Sequence, residues 1–174
     1  MPTSLRSIVW IVAVLALAAG QTASSRQFAL PRDAGEALDN RWDTWSLAAI
    51  APEAAACAAD AGPAVTLDID GDGLMDVAAA VRAPDGVHLV ALLQRQGGHE
   101  LYEIHRLGDD LASGYVTVTA PGTAYRNPRN GQETWTLAPT ITILRCGQET
   151  ADLYEWLGFR FNRITVPRAP GRPD

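Results

Sequence analysis

Four aspartates crowd into nine residues of this chain: Asp68, Asp70, Asp72 and Asp76, in the run Asp68-Ile69-Asp70-Gly71-Asp72-Gly73-Leu74-Met75-Asp76. No other stretch restricts the fold so tightly. Like charges this close repel, so the segment must either spread them into water or wrap them round a cation. The flanks say what carries it. Ala64-Val65-Thr66-Leu67 follows Gly62-Pro63, and Val77-Ala78-Ala79-Ala80-Val81 leads to Pro84-Asp85-Gly86. Short β-compatible runs bounded by Gly and Pro read as strands, so the loop joins two strands.

Counting Asp68 as position 1, acids stand at 1, 3, 5 and 9 and Gly73 stands at 6. Leu74, at 7, can offer only its backbone carbonyl. Calcium takes six to eight oxygens at about 2.3–2.6 Å from a loop with this phase, and a glycine makes its sharp turn. An EF-hand is excluded: it needs flanking helices and a Glu at position 12, where this chain has Ala79. The alternative is an Asp/Gly turn that binds nothing; a turn alone does not require four acids in this phase. The run DIDGDGLMDVAAAV resembles the calcium loop of FG-GAP and VCBS-type repeats, over about residues 64–95. Such repeats occur in integrin-like propellers and in many exported bacterial proteins. The resemblance implies calcium and names no activity.

A formal net charge of -6 gives no electrostatic case for nucleic acid or an anionic membrane. At 174 residues the chain is long enough for one domain with a real core. Arg6 followed by the apolar run Ile8–Ala19 and small residues reads as a signal peptide over 1–20, with cleavage expected near Gln21. The expected destination is the periplasm or the exterior, with no membrane span after cleavage. In that setting Cys57 and Cys146 can form a disulfide; two buried free thiols are the alternative.

Residues 21–32 read as a flexible mature N-terminus, 33–166 as one β-rich domain containing the calcium hairpin (64–82), and 167–174 as a disordered Pro-rich tail. Pro31, Asp33 and Glu36 mark a short helix to about Arg41. Residues 42–50 can continue it or turn to strand, and Pro52 ends either. Residues 53–63 read as a surface connection. Strands are expected at 87–94, 100–107, 115–119, 133–137 and 140–145, with a hairpin of 153–156 and 159–166 about Leu157-Gly158. Residues 121–132 read as a loop able to meet an anionic partner. The fold class is mainly β: a small antiparallel sheet or sandwich of meander hairpins with one short N-terminal helix. One acidic loop cannot make a propeller of four to eight blades.

No nucleophile elbow, His-Glu-x-x-His run or phosphate loop is present. His99 and His105 read as solvent-facing, and Glu103, Glu133 and Glu155 as solvated strand faces. Trp135, Tyr154, Trp156 and Phe159 alternate about the last hairpin and form either core or a face for a sugar or a partner's strand. These features point to an exported, calcium-stiffened binding module with a protein or glycan partner. A secreted hydrolase stabilised by calcium is the alternative.

Overall fold

A computed structural model describes residues 28–58, 62–108, 111 and 114–168. The expected signal peptide, most of the 21–32 segment and the end of the tail lie outside the described residues. The fold is mainly β and antiparallel, in open sheets that close into neither barrel nor propeller.

The first sheet grows from the strongest apolar runs. Strand β3 (Asp76–Ala83) pairs with β4 (Gly86–Arg95) across a turn at Pro84-Asp85, and β4 pairs with β5 (Gly98–Gly108). On its other edge β3 carries β1 (Ser46–Leu47) and β2 (Ala64–Leu67), end to end. The second sheet runs β11 (Phe161–Pro167), β10 (Thr150–Trp156), β9 (Thr140–Arg145), β6 (Gly114–Thr119). A small hairpin, β7 (Ala124–Arg126) with β8 (Glu133–Trp135), lies between β6 and β9 in sequence.

Strands β3 and β4 are buried along nearly their whole length because both faces are covered. On one face Ala78, Ala80, Leu89, Ala91 and Leu93 pack against Val116, Ile141, Ile143 and Tyr154 of the second sheet. On the other, Val77, Val81, Val90 and Leu92 pack under helix α1 (Arg32–Asp39), through Ala34 and Leu38, and under Trp42. Each fully buried Leu or Val contributes roughly 1.5–3 kcal/mol, and these alanines let the layers approach closely. Tyr125 of the β7–β8 hairpin packs with Leu144, Leu153 and Val166 on the second sheet's outer face.

Two expectations need correction and one is borne out. Pro52 starts an element: α2 (Pro52–Cys57) is a second helix with Pro in its first turn, where the missing N–H costs nothing. Part of the 53–63 connection is therefore helical. The 121–132 segment is not all loop, since it carries β7 and only its tip turns. Cys57 and Cys146 are bonded, which ties α2 to the β9–β10 turn. Closing a loop of 89 residues stabilises by roughly 4 kcal/mol on chain-entropy grounds. Among the described residues no helix is long and apolar enough to cross a membrane.

Candidate metal centre

The aspartate loop leaves β2 at Leu67 and re-enters the sheet at Asp76, the first residue of β3. Gly71 and Gly73 adopt φ of 79° and 85°, a left-handed backbone that other residues reach only under strain. These two positions turn the backbone N–H groups inward onto the side chains. Asp68 accepts from Gly71 N–H at 2.8 Å and from Gly73 N–H at 3.0 Å. Asp72 accepts from Leu74 N–H at 2.8 Å, and Asp70 from Asp72 N–H at 3.3 Å. Asp76 is fully buried and uses both oxygens: Ile69 N–H donates at 2.7 Å and Gln94 N–H at 2.8 Å. The last contact fastens the loop to β4.

Asp68, Asp70 and Asp76 each bring a carboxylate oxygen to one point, all within 4.8 Å of one another. Burial is the first cause pushing the Asp76 carboxyl above its usual range, and the charges of Asp70 and Asp72 add to it, against the two N–H donors. Among the described residues, one cation answers this crowding. Arg95, at the end of β4, sets its guanidinium 2.6 Å from Asp70 Oδ2 and 3.3 Å from Asp72 Oδ2. Its Nε lies 3.6 Å from Glu100. Arg95 meets two of the four aspartates and shares its charge with Glu100, so negative charge is left over. The donors are all hard oxygens, which suits calcium and does not suit zinc or copper.

Of the residues singled out in the sequence, Asp68, Asp70 and Asp76 converge as expected. Asp72 does not join them; it turns to Leu74 N–H and Arg95. The Leu74 side chain points to solvent. Strands flank the loop on both sides, which excludes the EF-hand arrangement. Arg95 is the residue the sequence reading missed. It lies 19 positions beyond Asp76, so no local spacing links them. Only the β3–β4 pairing, with Val77 opposite Leu92, brings it back to the loop.

The remaining polar residues do not converge on the loop. His99 is not solvent-facing: its side chain is buried, 3.1 Å from Asp33 of α1. His88 is buried with Nδ1 at 2.7 Å from Glu103 and Nε2 at 3.0 Å from Asp85, and its ring lies against Trp42. Glu103 stays on the exposed face of β5 as expected, yet it is paired on both sides, since it also takes Arg41 at 3.2 Å. Burial alone would raise the Glu103 carboxyl, but His88 and Arg41 outweigh it and hold it low. Between the sheets, buried Asp152 accepts from Arg145 and Arg163 at 3.0 Å each and from Thr165 at 2.6 Å. Burial raises the Asp152 carboxyl and these partners more than reverse it, so it too sits low. Arg163 also reaches His105 at 3.2 Å. Burial, then the Arg163 charge, lowers the affinity of His105 for a proton.

The four aromatics do not share a face. Tyr154 is buried between the sheets, and Trp156 packs beside it against Tyr102 and Phe161. Trp135 and Phe159 are exposed, at 53% and 71%. Tyr125, Arg126 and Glu133 line a shallow depression on the small hairpin, away from the aspartates. Compared with known proteins, the chain matches no family model, no curated protein and no solved structure.

Proposed function

We propose that this is an exported, calcium-binding β domain of FG-GAP/VCBS-like character that presents a surface to a protein or glycan partner. Calcium is structural in this reading. It neutralises the aspartates and fixes the join of β2 to β3. One observation carries the proposal: three carboxylate oxygens from Asp68, Asp70 and Asp76 converge within 4.8 Å on a backbone-braced loop. The Cys57–Cys146 disulfide is compatible with an exported, oxidising setting.

The alternative, a secreted hydrolase stabilised by calcium, would draw on one of the three histidines. His88 has both ring nitrogens committed to carboxylates and is sealed beneath Trp42. His105 has its Nε2 against Arg163. His99 lies against Asp33. The partners of the three rings are carboxylates, a guanidinium and aromatic rings rather than a hydroxyl or thiol, so the binding module is preferred.

The test is calorimetric titration of the mature protein with calcium at up to millimolar levels. Heat of binding at one site is expected, and Asp70→Ala and Asp76→Ala should each remove it. A flat titration of the wild type would overturn the reading. Capture from the native envelope fraction, with and without chelator, then addresses the partner.

A further inference from the structure

Arg95 is placed as more than a surface ion pair. Its guanidinium holds Asp70 Oδ2 at 2.6 Å, and Asp70 is one of the three residues whose oxygens converge. A cation bound among those oxygens and a guanidinium on Asp70 therefore draw on the same charge. The other side of Arg95 faces Glu100, 3.6 Å from Nε, and both act on the Tyr102 hydroxyl: burial first and then Glu100 raise its pKa, and Arg95 lowers it. Arg95, Glu100 and Tyr102 all lie on the face of the first sheet that meets the second, as the pairs Leu93–Glu100 and Ala91–Tyr102 require. Tyr102 stands edge-on to Trp156 with ring centroids 5.1 Å apart, and Trp156 lies 4.9 Å from Phe161. A continuous set of contacts thus runs from the loop into the seam between the sheets.

We propose that Arg95 is the chain's own counter-cation for the aspartate loop, that calcium displaces it from Asp70, and that the displaced side chain signals through Glu100 and Tyr102 to Trp156. The inference rests on the calcium reading above and adds a regulator to it. With no calcium the guanidinium holds the loop in register. With calcium, Arg95 is released toward Glu100, the opposing influences of Glu100 and Arg95 on Tyr102 shift, and the Trp156 ring at the seam changes environment. Loading of the loop then becomes legible at the aromatic edge of the second sheet.

The experiment titrates calcium into wild type, Arg95→Gln and Trp156→Phe, read by calorimetry and by tryptophan fluorescence. Arg95→Gln is expected to bind calcium roughly five-fold more tightly, since a competing unit charge is gone. It is also expected to lose the fluorescence change that Trp156→Phe loses. In wild type, the Arg95 Nε–H resonance should shift on calcium addition, a readout that needs no variant. Equal or weaker affinity in Arg95→Gln, or an unmoved Nε–H signal, overturns displacement. Tighter binding with the fluorescence change intact overturns the relay to Trp156. Binding by Arg95→Gln but not by wild type overturns calcium as the native occupant and upholds Arg95 in that place. No binding by either protein overturns both.

Discussion

Asp152 and the aspartate loop both hold carboxylates against the folded chain, and they balance charge differently. Asp152 is one carboxylate met by two guanidiniums and a hydroxyl, each fixed on a strand of the same sheet. Its charge is fully answered from within. Among the described residues, the loop sets four carboxylates against backbone N–H dipoles and a single guanidinium. Dipoles orient an anion but do not cancel it. A carboxylate saturated by fixed partners is architecture, whereas a group of carboxylates short of positive charge has room for a ligand.

The comparison can be broken at several points. The largest effect is expected from Asp152→Ala, which leaves Arg145 and Arg163 facing each other at the seam. Removing one partner of a buried ion network costs about 3–5 kcal/mol. Urea unfolding should show that loss equally with calcium and with chelator. A calcium-dependent loss would mean the two regions are coupled and the contrast is false.

Asp76→Ala should cost about 2–4 kcal/mol, because it leaves the Ile69 and Gln94 N–H groups without their acceptor. It should also abolish the calcium response. A normal calcium shift in its melting curve would show that Asp76 only braces the loop.

Calcium itself should stabilise wild type by about 2.7 kcal/mol at a hundred-fold excess over the dissociation constant. The paired change Asp70→Ala with Asp72→Ala should remove that increment and cost little in chelator. Asp152→Asn should keep it. Differential scanning calorimetry of the three proteins decides between these outcomes.

The smallest effect is in acid. The carboxyl of Asp152 is held below 3.8 in the folded state, so its stabilisation is fully present above that value. It is lost as pH falls through the lower folded value. Asp76 is raised, so burial penalises its charge at neutral pH and protonation on acidification relieves that penalty. In chelator, Asp152→Asn should flatten the fall in stability below pH 3.8, and Asp76→Asn should not. Identical acid limbs would remove the distinction.

Much of the fold was legible because turn chemistry and strand periodicity are local. Pro84-Asp85-Gly86 predicted the β3–β4 turn, and Leu157-Gly158 the turn between β10 and β11. The α1 helix was placed to within a residue or two at each end, but the cap expected of Asp33 and Glu36 does not form: Pro31 is the N-cap, without a side-chain cap bond, and Asp33 lies in the first turn. Helix α2 was missed because Pro52 was read as a stop, although proline suits the first turn of a helix as well as the end of one. His99 was misjudged because a turn position suggests solvent, and its burial is made by α1, which no local pattern reveals.

The sequence by itself determined the loop: its acids, its turn glycine Gly73 and its flanking strands lie within one short segment, where spacing and side-chain chemistry suffice. The tertiary structure alone decided which oxygens converge, that Asp72 turns aside, and that Arg95 arrives from the far end of β4. It also decided that Asp152 is neutralised while the loop is not. Charge balance depends on separations of a few ångströms between residues distant in the chain, and those separations exist only after the sheets have paired and packed.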